Sequence, residues 1–242
     1  MLLRHAGWGL EAGRRLVRGD RRLIAHWLLV AHIVVLGYWL GTELVINSTY
    51  RYVAYGERMP FDERTRLMEH VMDADQHVRY ALVLQAGLGT AIAALYGYFP
   101  GGANLAIAAG VIGALWLIFV EVVHRLRHER LGSRLATVDR GSRYVLMALF
   151  LALAVGLIGP DWPMPPWLRW KVGLFAAAMM CGVGIRYALI DHFRTWAIME
   201  RDGPTPETNA IIRRTYVRGT SVLVLLWVFI TAIVLTSVIK PT

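Results

Sequence analysis

Apolar residues fall in six long runs along this chain. They extend roughly over Leu23 to Val45, Val78 to Tyr98, Asn104 to Val123, Tyr144 to Gly159, Trp167 to Leu189 and Thr220 to Val238. Most approach or exceed the ~20 residues that a helix needs to cross a hydrocarbon core of ~30 Å. The pattern predicts an all-α, polytopic membrane protein, a helical bundle of about six transmembrane helices. The fourth run is short, so its helix is expected to start before Tyr144 or to sit where the bilayer thins. The polar stretches between runs alternate between long and short. Asn47 to His77, the segment between the third and fourth runs, and Arg194 to Arg218 read as long links. Phe99-Pro100-Gly101-Gly102 and Pro160 to Pro166 read as tight turns. The first 22 residues carry six arginines together with Leu2, Leu3, Trp8, Leu10, Leu16 and Val17. They are expected to form a basic amphipathic tail, residues 1–22, on the membrane surface ahead of a six-helix domain, residues 23–242. No small-residue cleavage site follows the first run, so a cleavable signal peptide is not expected.

Composition agrees with the pattern. The chain of 242 residues is 56% hydrophobic, with a mean hydropathy of +0.45, outside the usual range of soluble domains. The net charge is +9 and nearly all the cations are arginine. Such charge in a soluble protein would point to nucleic acid. Here the arginines gather at helix ends, which points to anionic headgroups and to topology signals, and a nucleic-acid partner is not expected. The long links, counting Arg79 at the mouth of the second run, hold 16 arginines, while the opposite helix ends and the C-terminal tail hold only Arg169, Lys171 and Lys240. The positive-inside rule therefore places the long links in the cytoplasm and Trp162, Trp167 and Trp170 in an outer aromatic belt. Parity puts the N-terminal tail outside, against its own six arginines; the three links agree with one another and carry the assignment. A multi-pass protein of a bacterial inner membrane is the expected localisation, with the lipid bilayer as partner. Cys181 is the only cysteine, so an intrachain disulfide and a thiolate metal cluster are excluded.

A weak internal repeat is visible. Asp75-x-x-x-Arg79-Tyr80-x-Leu82 matches Asp139-x-x-x-Arg143-Tyr144-x-Leu146, each leading into an apolar run that returns to a His-Arg or His-x-Arg end at His124 or His192. This predicts a duplicated helical hairpin related by an axis along the membrane normal. The plain reading of each Asp–Arg pair is an i,i+4 salt bridge that supports the start of a helix.

The candidate chemistry centres on the first run. His32, Trp39 and Glu43 are seven and four residues apart, so at about 3.6 residues per turn they share one helical face. Ionisable groups inside a span are costly and read as functional. A buried neutral histidine satisfied by a hydroxyl, carbonyl or water is the plain account of His32; the sharper one is an axial ligand to a haem. Glu43 then suits proton acceptance near the inner end of the span. Among the other histidines, His77, His124 and His192 all lie at inner helix ends and are candidate ligands, with His32, for a divalent transition metal. Glu121-x-x-His124 has the spacing found on di-iron carboxylate helices but occurs once, and His124-x-x-x-His128 likewise. Hydrogen bonding at the membrane interface is the plain alternative for all of them.

His32, six residues and then Trp39-Leu40-Gly41 resemble the first-helix pattern of CopD-like copper-resistance membrane proteins. The same helix is similar to that of HemJ-type membrane protoporphyrinogen oxidases, and Trp167-Leu168-Arg169-Trp170-Lys171 is similar to their Trp-Leu-His-x-Lys segment, with Arg169 in place of the histidine. The resemblance implies haem b on His32 with Trp39 against the ring, a functional lysine at Lys171, and Arg169 near the propionates. It implies an oxidoreductase or porphyrin-handling role, with a redox partner or a porphyrin as the other component. A proton-coupled transporter of a metal ion or small solute, and an assembly subunit without chemistry of its own, are the alternatives, and each is compatible with a homo-oligomer. Nucleotide use is not expected, since no phosphate-binding glycine motif is present.

Overall fold

The computed structural model describes residues 3–127 and 129–241, with side chains described for these except 3–20 and 133. The side chains on which the surface-tail reading of residues 1–22 largely rests, and His128, lie outside the described residues. Six helices account for nearly all of the described backbone, with no strand among the described residues: α1 (Leu3–Tyr55), α2 (Phe61–Leu95), α3 (Gly102–Arg125), α4 (Arg130–Ala154), α5 (Pro166–Asp202) and α6 (Pro206–Ile239). All except α4 contain a segment long and apolar enough to cross a membrane. The chain is thus an all-α, multi-pass membrane protein.

The expected long links are a correction. They are not loops: α1 runs on to Tyr55, α2 begins at Phe61, α4 begins at Arg130, and α5 reaches Asp202 three residues before the cap of α6. Most charged residues of these stretches are arginine and glutamate, which lose little freedom in a helix. The helix therefore continues past the apolar run into water. α5 has 37 residues, about 55 Å at 1.5 Å per residue, far more than a bilayer core requires. The Asp-x-x-x-Arg-Tyr motifs accordingly lie inside α2 and α4 rather than at their starts. In the second of them the pair is closed: Arg143 Nη2 bonds the buried Asp139 carboxylate and Arg143 Nε donates to the Asp139 carbonyl at 3.3 Å. α4 starts well before Tyr144, at Arg130, but the added length carries five charged residues: Arg130, Arg134, Asp139, Arg140 and Arg143.

The described chain divides into two units, and the division cuts through α1, α2 and α3. One unit comprises Met1–Leu40 and Arg79–Val122. Its helices approach through small residues: a Cβ on Gly87 would stand 3.5 Å from the Ala109 carbonyl oxygen and 3.9 Å from Gly113 Cα. Close backbone approach at glycine and alanine is the usual means of packing helices in lipid, where burying apolar surface gains little. Ile107, Val111, Leu115 and Ile118 of α3 are exposed, as a lipid-facing stripe should be.

The other unit comprises Gly41–Val78 and Val123–Thr242. Here α5 packs along α6 and α4 against α5. Its apolar core holds Tyr50, Val53, Ala54, Met68, Val71, Trp196, Met199 and Ile212. These residues come from the polar extensions of α1, α2, α5 and α6, so this core forms beyond the apolar runs. The α4–α5 turn is tied by Arg169, which donates to the carbonyls of Leu153 at 3.1 Å and Gly159 at 3.0 Å. Gly159 has φ +61°, and any Cβ there would collide with the Trp162 ring. α5 ends at Gly203, φ 86°, and α6 begins in a reciprocal cap: Thr208 N donates to Thr205 Oγ1 at 3.2 Å and Thr205 N to Thr208 Oγ1 at 2.9 Å.

Two outcomes are expected from thermal unfolding in detergent. Thr205→Ala removes the cap and should cost about 1 kcal/mol, while Thr205→Ser should be near neutral. Gly159→Ala should cost more than the helix-cap change, because it combines a left-handed backbone with a collision.

Candidate functional site

The polar chemistry of the second unit is gathered in its core. Where the apolar runs of α1 and α6 end, Thr220 Oγ1 donates to Asn47 Oδ1 at 2.9 Å. One turn further along α1, Tyr50 meets α5 and α6 together: its hydroxyl lies 2.9 Å from His192 Nδ1 and 3.2 Å from Thr215 Oγ1. Further still, the Arg64 guanidinium of α2 donates from Nε at 3.1 Å and Nη2 at 2.9 Å to the Val53 carbonyl, and from Nη1 at 3.0 Å to Asn209 Oδ1. Glu57, just past the end of α1, forms an ion pair with Arg213. The three hydrogen-bonded rungs run in antiparallel order, from Asn47 through Tyr50 to Val53 on α1 and from Thr220 through Thr215 to Asn209 on α6. They form a ladder of polar rungs that starts where the lipid-facing sequence stops.

The middle rung has a defined proton order. Thr215 Oγ1 donates to the Ile212 carbonyl at 2.7 Å. A hydroxyl has one proton, so Thr215 must accept from Tyr50, and Tyr50 must accept from His192 Nδ1–H. That fixes the imidazole in the tautomer with its proton on Nδ1 and a lone pair on Nε2. Nε2 is buried and has no hydrogen-bond partner among the described residues. The ring itself is fully buried, stacked on Trp196 at 5.0 Å with an interplanar angle of 17°, and touched edge-on by Tyr50. Arg64 lies over the other partner of that stack, 5.5 Å from the Trp196 ring centre.

Arg64 is 1% exposed and its acceptors among the described residues are an amide and a backbone oxygen, not a carboxylate. Val53 stands in the last turn of α1, whose unmatched carbonyls carry partial negative charge. A guanidinium from the first turn of α2 therefore caps α1, and in the same plane it reaches the first turn of α6 through Asn209.

The residues singled out from the sequence are distributed as follows. Trp39 is 2% exposed and Glu43 6% exposed, so the face predicted for α1 is a buried face. His32, on the same helix, is half-buried; its Cε1 lies 3.5 Å from where a Cβ would stand on Gly89 of α2, and its backbone carbonyl accepts from Gln85 Nε2 at 2.9 Å. His32 and Trp39 belong to the first unit; Glu43, Arg169 and Lys171 belong to the second. Arg169 is turned to the carbonyls that close α4. Lys171 is half-buried and makes no hydrogen bond or ion pair among the described residues. His77 is exposed. His124 lies 3.9 Å from Asp73, whose carboxylate also takes Arg127 at 2.9 Å. His192 sits in the Tyr50 rung. Glu121, the partner of His124 in the spacing argument, accepts a hydrogen bond from Tyr80. Among the described residues no three His, Cys, Asp or Glu side chains are grouped to hold a metal ion.

Tyr50, Arg64, Asn209 and Thr215 did not stand out in the sequence. Tyr50→Phe should lower stability by about 1–3 kcal/mol, because it leaves His192 Nδ1 and Thr215 without their shared partner. Arg64→Lys should be at least as costly, since a lysine cannot span Val53 and Asn209 at once. Thermal melts of both variants in one detergent, with Arg66→Lys on the exposed face of the same helix as the reference, measure the difference.

Comparison with known protein families, with curated proteins and with solved structures found no match for this chain.

Proposed function

We propose that this integral membrane protein binds haem b through His32 and has a redox or porphyrin-handling role. The observation that carries the reading is the setting of His32: an imidazole in the middle of the first apolar run, half-buried, with Gly89 opposite its ring, where a Cβ would stand 3.5 Å from Cε1. Trp39, two turns along the same helix, supplies a buried aromatic surface. These two residues fit an axial ligand and its neighbour. A bound haem would supply one-electron chemistry or a porphyrin site, with its potential set by the ligand and by burial. The protein's own part is to fix the imidazole, and the Gln85 bond to the His32 carbonyl anchors the backbone that carries it. Glu43, buried further along α1, is suited to holding a proton near the arginine-rich end. Arg169 takes no part in this reading, because its guanidinium already serves the α4 carbonyls.

A second reading has its own support. The Tyr50, Arg64, Asn209, His192 and Thr215 side chains are spent on one another, which favours an assembly subunit whose polar groups hold helices rather than act on a substrate.

Colour separates the two. Protein expressed with ample haem should show a Soret band, and His32→Ala should remove it while the melting temperature stays within a few degrees. A colourless wild type overturns the haem reading and leaves the assembly reading standing.

We further propose a bacterial inner membrane with the arginine-rich helix ends in the cytoplasm. A reporter fused after Arg134 should read as cytoplasmic and one within Asp161 to Pro166 as periplasmic; the reverse pattern refutes the orientation.

A further inference from the structure

We propose that the arginine-rich end of the second unit binds the headgroups of anionic phospholipids, with Arg51 of α1 and Arg194 of α5 as the cations that hold the phosphate. The proposal does not depend on haem. It starts from the depth of these residues. The Asn47–Thr220 bond joins α1 and α6 where both apolar runs end. Arg51 is one turn beyond Asn47, about 6 Å along the axis. Arg194 is two residues beyond His192, which is level with Tyr50 through their 2.9 Å contact. Both therefore fall in the headgroup layer, which adds roughly 5–7 Å to each side of the hydrocarbon core.

Charge is the second argument. Three arginines of this unit are neutralised by its own carboxylates: Arg213 by Glu57, Arg218 by Asp191 at 3.6 Å and Arg127 by Asp73 at 2.9 Å. Arg51 and Arg194 are exposed and have no partner among the described residues. A free guanidinium at that depth presents a planar fork that matches phosphate oxygens bidentately.

The third argument separates a lipid from a free anion. Immediately on the hydrocarbon side of these arginines stand exposed apolar residues, Leu44 at 56%, Val45 at 48% and Ile190 at 39% exposure. At headgroup depth stand the exposed tyrosines Tyr52 at 67% and Tyr55 at 52%. Apolar wall, amphipathic ring and cation in that order fit an acyl chain, a glycerol region and a phosphate. An inorganic ion would use only the last of them.

The test uses the full chain reconstituted in vesicles of phosphatidylcholine and phosphatidylglycerol carrying a trace of spin-labelled phosphatidylglycerol. The immobilised fraction reports the preference for the anionic lipid. R51Q/R194Q should lower the relative association by about fivefold per arginine, and R51K/R194K should keep most of it with a steeper salt dependence. R201Q, which removes an arginine paired with Asp202 far along α5, should leave it unchanged. Each single change, R51Q or R194Q, is read separately, and circular dichroism in pure phosphatidylcholine shows that the variants are folded. Undiminished preference in folded R51Q/R194Q overturns the proposal, as does an equal loss in R201Q. Inorganic phosphate displacing the labelled lipid at matched concentration would identify a simple anion site and overturn the lipid assignment.

Discussion

A guanidinium withdrawn from water must be given back nearly all of its hydrogen bonds, or the helix that carries it will not stay where it is. Arg64 meets that demand with partners that no side chain of α2 could provide. Two of its nitrogens fall on the Val53 carbonyl in the last turn of α1, and a third falls on Asn209 in the first turn of α6. A helix end carries about half an elementary charge, so the α1 terminus is itself an acceptor suited to a cation. Trp196 of α5 closes the remaining side as a π surface 5.5 Å away. Four helices are thereby fixed by one side chain, and the positions of Tyr50, His192 and Thr215 follow, because each lies one or two turns from an Arg64 partner on its own helix.

The two units hold their helices by opposite physics. Within the first, the helices meet through Gly87, Gly113 and Ala109, joined by the Gln85–His32 and Tyr80–Glu121 hydrogen bonds. Within the second, beyond the apolar runs, water surrounds the helix extensions, and burying Val53, Met68, Met199 and Ile212 recovers a hydrophobic driving force that lipid does not provide. Polar rungs can then select the register of α1 against α6, since a shift by one residue would misplace Asn47, Tyr50 and Val53 together.

The spans were legible because a run of about 20 apolar residues has few other uses. Their true ends were not, because arginine and glutamate after an apolar run look alike in a loop and in a helix that continues into water. A signal was available. Leu189, His192, Thr195, Trp196 and Met199 recur at three and four residues, as do Asn209, Ile212, Thr215 and Gly219, and Arg64, Met68 and Val71. That spacing is a helical stripe extending past the apolar boundary. Hydropathy averages hide it, since each stripe is set among charges. His192 was legible as a residue of interest, but its role depends on Tyr50, 142 positions away, and no local pattern carries that information. Arg64 was counted with the surface arginines because arginine is so rarely buried. That Trp39 and Glu43 share an azimuth was legible from their spacing alone, whereas their burial was not.

Distance along the chain gives the Arg64 clamp a consequence in time. Its two halves, Arg64 and Asn209, are separated by 145 residues. Synthesis at about 5–20 residues per second leaves the arginine waiting roughly 7–30 s for its acceptor. During that interval Arg64 can reach the Val53 carbonyl of α1, but its Asn209 acceptor is missing. The clamp is complete only once α6 has been made, and a chain that lost its sixth helix would be marked by an open, charged seam that a quality-control protease could reach.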